Sequence, residues 1–393
     1  MLTRRHRSLA LKTPRFQLSA NYPVSIYEPS VFSAVDAHSI NGHGFGFDHT
    51  GPIKAIGEYL ERYVAFRNCR HTHSGTLDDT GLSTLEQQAF LCAARQTCRD
   101  PILLNDISEH KLNLVEVKRL SNSTGCLYPV SLVSLHSDSD RLESQLMPTR
   151  DSSGNSIHSC RQTALDGALL EFVERQCVTA MWMSRRCNEI DHLNEKYFHE
   201  NKKSQVVLEQ MLKKGTLKIY DISFLKGSSV IFTEYKSKDS DALVYFACGS
   251  SANFKRQQAL VKAFIETWQT SILLTQMRFF KNRDYGSDTL KTNTQDANNP
   301  DFELGVYKQP LYIGNQNESN RQTLISSLLE VSQNIYIYEK LVWISGIELW
   351  FTRVFSPDFF IHMNPGEGNN NNNKWIDNFC DDASKRLAPL PFS

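Results

Sequence analysis

Two stretches of the sequence have almost the same pattern, AIGEYLERY (Ala55–Tyr63) and ALLEFVERQ (Ala168–Gln176). Each contains two glutamates three positions apart and an arginine directly after the second glutamate. Residues at positions i, i+3 and i+4 of a helix share one face. The repeated pattern therefore predicts two helices that each carry two acids and one base along a single side.

A solvated helix face with one Glu–Arg pair is the simplest interpretation of one such pattern. The second stretch argues against it, because apolar residues such as Ala168 and Trp182 fall on the same face as Glu171. A third predicted helix repeats the arrangement, with Glu266 as the one acid in an apolar stripe. We therefore expect these acids to be partly buried.

Buried carboxylates need a cation nearby, because each one otherwise costs several kcal/mol. If they converge, each pair repels by ~3 kcal/mol at a separation of ~5 Å and an effective dielectric of ~20. Magnesium prefers oxygen ligands and commonly shares its shell with nucleotide phosphates. No G-x-x-x-x-G-K-[ST] loop and no kinase loop signature occurs in the chain. The sequence thus predicts a magnesium and nucleoside triphosphate site between three helices, without a P-loop.

Composition excludes several other classes of protein. The 393 residues are 40% hydrophobic and 22% charged, and 43 basic residues balance 43 acidic ones, which argues against a nucleic-acid-binding or membrane-surface protein. No stretch approaches the roughly 18 apolar residues of a membrane helix, and we expect a cytoplasmic protein. The nine cysteines include no Cys-x-x-Cys pair and suggest neither a disulfide framework nor a zinc ribbon.

Hydrophobic periodicity predicts an α+β (mixed α/β) class in which mixed sheets are flanked by helices. We expect a single domain over residues 1–393, with a polar insertion at about 283–322 and a solvated loop at the asparagine run 369–373. Helices are predicted at 53–67, 82–98, 161–185 and 255–280. Strands are predicted at 112–120, 128–136, 217–223, 230–236, 243–249, 334–343 and 347–355.

A glycine-rich stretch, NGHGFGFDHTGP (Asn41–Pro52), precedes the first motif helix. We predict that it is a loop in which Gly42 and Gly44 let the backbone approach a phosphate. A flexible turn with no ligand is the alternative.

The order of these motifs resembles the YcaO family of ATP-dependent peptide-backbone enzymes. The resemblance rests on E-x-x-E-R after a glycine-rich stretch, a second E-x-x-E-R after DSSGNS (Asp151–Ser156), and K-x-x-x-E-x-x-Q in the third helix. The segment SPDFFIHMN (Ser356–Asn364) is similar, more narrowly, to the cyclodehydratase subunit of microcin-type thiazole/oxazole synthases. The resemblance covers nearly the whole chain.

The resemblance implies a reaction and a YcaO-like fold. A Cys or Ser side chain of a ribosomal precursor peptide attacks the preceding amide carbonyl, ATP phosphorylates the oxygen of the adduct, and loss of phosphate leaves a thiazoline or oxazoline. Partners implied are the precursor peptide, a leader-binding docking subunit and a flavin-dependent azoline dehydrogenase. The chain has no obvious leader-binding domain of its own, and the insertion at 283–322 is either a docking surface or a solvated excursion.

The resemblance also assigns roles to residues. Four acids are implied to bind Mg²⁺: Glu58, Glu61, Glu171 and Glu174. The residues implied to contact the nucleotide are Gly42, Gly44, Ser153, Lys262, Glu266 and Gln269. Arg62 and Arg175 are implied either to hold the acids or to contact phosphate.

The chain departs from the family pattern at several places, among them His158 and Ser159, where Asn or a small residue is common. Thr163 stands where an acid is usual, which puts one metal contact in doubt, and Lys262 replaces a frequent arginine. The C-terminal tail, residues 386–393, contains Pro391 but ends in Ser393 instead of proline. We expect Pro391 and the carboxylate of Ser393 to take part in catalysis, and a frayed terminus is the alternative.

Two other activities stay open on sequence grounds. The same phosphorylation chemistry could form an amidine or a thioamide. A non-catalytic scaffold is also conceivable, but it would have no reason to keep five costly acids.

Overall fold

The computed structural model describes residues 9–11, 14–21, 30–46, 50–100, 107–136, 141–190, 202–239, 242, 244–279, 307–308, 319–366, 368–381, 384–388 and 390. The helices within these residues are α1 (Thr50–Arg67), α2 (Thr84–Thr97), α3 (Arg141–Leu146), α4 (Arg161–Ser184), α5 (Lys202–Lys214), α6 (Arg256–Phe279) and α7 (Arg321–Val331). None of them is long and apolar enough to cross a membrane.

The described strands form three sheets, and their bounds follow in chain order. They are β1 (Leu9–Leu11), β2 (Phe16–Asn21), β3 (Ser30–Asp36), β4 (Asn41–Gly46), β5 (His73–Gly75), β6 (Leu112–Arg119), β7 (Gly125–Pro129), β8 (Asn155–His158), β9 (Arg186–Glu189), β10 (Gly215–Asp221), β11 (Ser229–Ser237), β12 (Phe246–Asn253), β13 (Tyr307–Lys308), β14 (Tyr336–Ile344) and β15 (Ile347–Phe355).

The largest sheet has the order β5-β6-β14-β15-β8, with β7 also paired to β6 and β1 paired to β14. All its pairings are antiparallel except that of β1 with β14. Ser345 and Gly346 close the β14–β15 hairpin with φ values of 54° and 81°. Positive φ at both central residues is the turn whose twist matches that of paired strands. Helix α4 packs on β8 and β15.

The second sheet has the order β12-β11-β10-β9-β13, and α6 packs on β11 and β12. The approach is close at Gly249, where a Cβ atom would overlap backbone atoms of Ala263 and Thr267. This packing brings Glu266, which is next to Thr267, directly over β12. Helix α4 contacts the same strand, so β12 lies between two of the three motif helices.

The third sheet, β2-β3-β4, packs against α1 and corrects one prediction. Residues 41–46 form a strand and not a glycine-rich loop, and α1 begins at Thr50. A Cβ atom at Gly42 would overlap the backbone of Tyr59, and one at Gly44 would overlap that of Gly51 and Ala55. These two glycines therefore allow the strand to lie directly on the helix.

Two large apolar clusters lie on either side of the first sheet. One surrounds α4 and includes Phe172, Trp182 and Trp375, and the other fills the space between α1, α2 and the sheet. Burying each large apolar side chain contributes about 1.5–3 kcal/mol. The two clusters fix α1 and α4 relative to the sheet and thereby fix the two E-x-x-E-R motifs.

A buried ion pair locks α2 to the first sheet. Glu86, which is 8% exposed, accepts from Arg119 through Nε at 2.6 Å and Nη2 at 3.0 Å. It also accepts from the backbone N–H of Ser83 at 2.8 Å and the hydroxyl of Tyr336 at 3.0 Å. Burial opposes ionisation of Glu86, but these donors outweigh it and lower its pKa to about 2. This pair is structural and lies outside the motif helices.

Three of the five asparagines in the run are buried, and so the prediction of a solvated loop is wrong. Asn370 is 0% exposed. Its Nδ2 donates to the carbonyls of Pro357 and Phe359 at 2.9 and 2.7 Å, and its Oδ1 accepts from Ile361 N–H at 3.0 Å. Asn373 likewise caps the turn that follows. An amide can be buried at little cost when every donor and acceptor is satisfied.

Other differences from the predicted elements are local. The strand expected at 128–136 ends at Pro129, which has no N–H for the ladder, and a 3₁₀ turn follows at Val130–Leu132. Helix α7 was not predicted, and Asn320 caps it by accepting from Thr323 N–H at 3.0 Å. Most of the polar insertion lies outside the described residues, and the single-domain assignment stays a prediction.

Candidate active site

Helices α1 and α4 place Glu61 and Glu171 near each other. Burial, followed by the charge of Glu58, raises the pKa of Glu61 to about 8. Burial, followed by the charge of Glu61, raises the pKa of Glu171 well above its ordinary value. Neither carboxylate accepts a backbone hydrogen bond within the described part of the chain. This pair is a site where negative charge is unfavourable until a cation arrives.

Helices α4 and α6 bring together a second pair, Glu174 and Glu266, through strand β12. Glu174 accepts from Ser250 Oγ at 2.7 Å and from Ala252 N–H at 2.9 Å. The backbone N–H of Ser250 donates to Glu266. The side chain of Glu266 reaches solvent, yet protein crowds its carboxylate, and this desolvation together with the charge of Glu174 raises its pKa to about 8. Burial also raises the pKa of Glu174.

Arg175 lies between the two acid pairs. Its Nε is 3.9 Å from Glu171 Oε1, and its Nη1 is 2.9 Å from the sulfur of Met363. Burial lowers the pKa of Arg175, but Glu171, Glu174 and other carboxylates outweigh it and leave the pKa above its ordinary value. The three motif helices therefore meet as predicted, and Arg175 is the cation at their centre.

Glu58, the first acid of the first motif, faces strand β4. One oxygen pairs with Arg62 Nη2 at 2.6 Å, and the other accepts from His43 N–H at 2.8 Å. Arg62 also donates to the carbonyl of Asn41 at 3.2 Å, and Lys54 donates to that of Phe45 at 3.3 Å. These side chains form hydrogen bonds with the backbone N–H and C=O groups at the outer edge of β4. The magnesium role of Glu58 stays a prediction, and both its oxygens already have partners.

The residues predicted to contact the nucleotide have different environments. Lys262 is exposed one helical turn before Glu266, and Gln269 is half-buried about one turn after it. Ser153 is buried, and its hydroxyl has no hydrogen-bond partner in the described part of the chain. Thr163, the departure from the family pattern, is exposed in the first turn of α4. All these roles stay predictions.

The C-terminal tail packs against the end of α4 as far as it is described. The Arg386 guanidinium stacks 3.4 Å from the ring centroid of Trp182, and the Trp182 indole donates to the carbonyl of Ala388 at 2.7 Å. Leu390 is fully buried. The alternative of a frayed terminus is therefore wrong up to Leu390. Pro391 and Ser393 lie outside the described residues, and their catalytic role stays a prediction.

Two residues of the site were not predicted from the sequence. Asp151 accepts from the backbone N–H groups of Ser153 and Met363 at 2.9 and 2.7 Å, and its charge helps to raise the pKa of Glu171. Arg353 on β15 is buried and lies near Glu61 and Glu171. The available signal was a basic residue at an inward-facing position of the strand IELWFTRVF.

The donor set fits magnesium. Among the described residues, no three His, Cys, Asp or Glu side chains form a ready-made ion site. Magnesium is usually held by one or two carboxylates together with water and substrate phosphates, and it does not need an all-protein cage. The two pairs of acids with raised pKa values provide such carboxylates.

Known proteins resemble this chain in sequence and in fold. The microcin B17-processing protein McbD of Escherichia coli is 25% identical over 339 residues, which are 81% of this chain and 82% of McbD. A chain of the E. coli microcin synthetase McbBCD complex with pro-MccB17 bound has a TM-score of 0.82 at 23% identity and covers 96% of both chains. YcaO from Methanopyrus kandleri bound with AMPPCP and Mg²⁺ has a TM-score of 0.54 at 14% identity, covering 87% of this chain and 85% of that one.

The model of one protein family matches residues 42–335 and is described as YcaO cyclodehydratase, ATP- and Mg²⁺-binding. The match spans both E-x-x-E-R motifs and Glu266 of α6. It confirms the resemblance, the class of activity and the cofactors ATP and Mg²⁺, and the structural likenesses confirm the α+β class. This chain belongs to the YcaO cyclodehydratase family.

Proposed function

We propose that this chain is the ATP-dependent cyclodehydratase subunit of a microcin-type azole synthase. In this function it converts Cys or Ser residues of a ribosomal precursor peptide into thiazolines or oxazolines. The observation that carries the proposal is the meeting of acids from α1, α4 and α6 around Arg175, with pKa values raised by burial and mutual repulsion. Such a site is built to receive a divalent cation with an anionic ligand.

Magnesium-bound ATP would supply the phosphoryl group that converts the amide oxygen into a good leaving group. Glu61 and Glu171 would hold the metal from one side, and Glu174 from the other. Glu266 and Lys262 on α6 would face the nucleotide. Arg175 keeps the two acid pairs together through its charge.

The tail would act on the peptide. We propose that the carboxylate of Ser393 accepts a proton during ring formation, with Pro391 keeping the last residues extended. The support is the anchoring of the preceding segment on α4 through Trp182 and Leu390.

We propose that the enzyme works in the cytoplasm within a complex. The structural match to a chain of the McbBCD complex with pro-MccB17 bound supports a peptide substrate and additional subunits. We infer a leader-binding docking subunit and a flavin-dependent azoline dehydrogenase as the partners. The balanced charge of the chain gives no support to a nucleic-acid partner.

Reconstitution tests the proposal. The protein, the products of neighbouring genes and the precursor peptide are incubated with ATP and Mg²⁺, and the peptide is analysed by mass spectrometry. We expect the loss of one water per ring, blocked by Glu171→Gln, and loss of the alkylatable thiol at each cyclised cysteine. Water loss with every thiol retained would indicate either an oxazoline formed from serine or an amidine, and tandem mass spectrometry separates the two by whether the loss maps to a serine and the residue before it. ADP release without any mass change in the peptide would contradict the proposal.

A further inference from the structure

Arg353 lies near the C-terminal end of β15, in register with Asn155 of β8. It is only 3% exposed. The charges of Asp151, Glu171 and Glu61 act on it, so its guanidinium lies beside the α1–α4 acid pair. The large sheet thus contributes a residue to the site in addition to those of the three motif helices, and this residue is cationic.

The hydrogen bonds of Arg353 leave its charge without a direct ionic partner. Nη1 donates to the carbonyl of Asp151 at 3.0 Å and to Asn155 Oδ1 at 3.2 Å, and both acceptors are neutral. In the described part of the chain, Nε has no acceptor and no carboxylate lies within ion-pairing distance of the guanidinium. A buried cation with a free donor is costly unless something anionic reaches it.

Arg119 in the same sheet shows how a buried arginine is usually paired with an anion. It donates through Nε and Nη2 to both oxygens of Glu86, in a bidentate pair. A planar guanidinium is suited to such two-point contact with carboxylate or phosphate. Arg353 has the same side chain and a deeper position but lacks the anion.

Two further buried donors lie in the segment 151–155, to which Arg353 donates. Asn155 is 1% exposed, and its Nδ2 has no partner among the described residues. Ser153, in the turn before β8, has a buried hydroxyl that is also without a partner there. The nearby acids suit a cation, whereas these donors suit an oxygen-rich anion.

We propose that Arg353 and Asn155 form a phosphate-binding position of the site, and that β15 supplies it. The ligand is an oxyanion, either the terminal phosphate of bound ATP or the phosphate released from the peptide. This inference rests on the proposed function, since it names the group that the magnesium site presents to β15. In surroundings that exclude water, a charged hydrogen bond to phosphate is stronger than one at the surface.

Binding measurements on the full-length protein test the proposal. The affinities for AMPPCP, ADP and inorganic phosphate are measured with Mg²⁺ for the wild type, Arg353→Met and Arg353→Lys. We expect Arg353→Met to lower the affinity for AMPPCP or for inorganic phosphate by about tenfold or more, because a hydrogen bond to a charged group is lost. The affinity for ADP should stay within about twofold of the wild-type value. Loss of AMPPCP affinity assigns Arg353 to the nucleotide, and loss confined to inorganic phosphate assigns it to the released product.

Arg119→Lys is the matched control, since it perturbs a buried arginine of the same sheet away from the acids. It should lower the melting temperature without changing the ratio of AMPPCP to ADP affinity. If Arg353→Met does not fold, the isosteric change Asn155→Asp gives the guanidinium an internal anion and should weaken the same ligand. Equal losses for AMPPCP and ADP, or no loss for any of the three ligands, would overturn the proposal. A wild-type protein that binds no nucleotide would refute the proposed function instead.

Discussion

The two E-x-x-E-R motifs are alike in sequence and different in their surroundings. In α1 the first acid, Glu58, is held by the backbone of β4 and by Arg62. In α4 the second acid, Glu174, is held by the backbone of β12. In each motif the backbone of a strand donates a hydrogen bond to one acid, and the other acid, Glu61 or Glu171, faces the opposite helix. The position of the neighbouring strand therefore decides which acid of the motif is free of backbone hydrogen bonds within the described residues.

The two arginines differ in the same way. Arg62 turns toward β4 and donates to Asn41, whereas Arg175 turns inward among the acids of α4 and α6. The first motif thus contributes only Glu61 to the site, whereas the second contributes Glu171, Glu174 and Arg175. The predictions below test this asymmetry.

The largest effect is expected at the facing acids. Glu61→Gln and Glu171→Gln remove a negative charge where the cation is proposed to bind, and each should reduce azoline formation by about a hundredfold or more. Rates of ring formation measured by mass spectrometry check this. Because Gln keeps the shape of Glu, the melting temperature should not fall. Wild-type rates in either variant would remove that acid from the site.

The arginines should show the next largest difference. Arg175→Lys should lower kcat/KM for ATP by about tenfold, because the point charge of an ammonium group cannot replace the extended guanidinium that lies beside both acid pairs. Arg62→Lys should leave kcat/KM nearly unchanged. If the two variants are equally impaired, the two motifs contribute their arginines in the same way and the asymmetry is wrong.

Glu58→Gln tests whether Glu58 has a structural role or binds the metal. Its Oε1 could still accept from His43, but the ion pair with Arg62 is lost, so we expect the free energy of unfolding to fall by about 0.5–1 kcal/mol. Activity at saturating Mg²⁺ should change little. Chemical denaturation and an activity assay measure both quantities. A loss of activity as large as that of Glu61→Gln would support the magnesium role predicted for Glu58 from the family resemblance.

The smallest effect is a pH dependence of stability. The pKa values of Glu61 and Glu266 are raised from 4.5 to about 8, chiefly by burial. Between these values the folded state binds more protons than the unfolded state, so stability without Mg²⁺ falls as pH rises through this range. Melting temperatures at several pH values should show this slope. Mg²⁺ with AMPPCP should reduce it, and Glu61→Gln should reduce it without any ligand. An unchanged slope in Glu61→Gln would contradict the assigned shift.

Local patterns in the sequence predicted the helices of the site well. The bounds of α4 follow from a long helical pattern that has no wholly polar side, and partial burial of Glu171 follows from apolar neighbours such as Trp182 on its face. The structure confirms both. These features depend on residues within a few turns of one another, and such spacing is visible in one sequence.

Features that depend on distant contacts were not predictable. Glu58 is tied to β4 through His43, and β4 itself was mistaken for a loop because its glycines are usual in turns. Arg353 reaches the acids only because β15 pairs with β8. Neither contact leaves a mark in local periodicity, since both are set by sheet pairing.

The asparagine run at residues 369–373 has a consequence for how the sequence can vary. Runs of one residue type often tolerate changes in their number, because each member can replace the next. Here Asn370 and Asn373 have different partners, on Phe359 and on the turn at Ile376. Inserting or deleting one asparagine would shift every later amide away from its partner, so this tract has a fixed length despite its repetitive appearance.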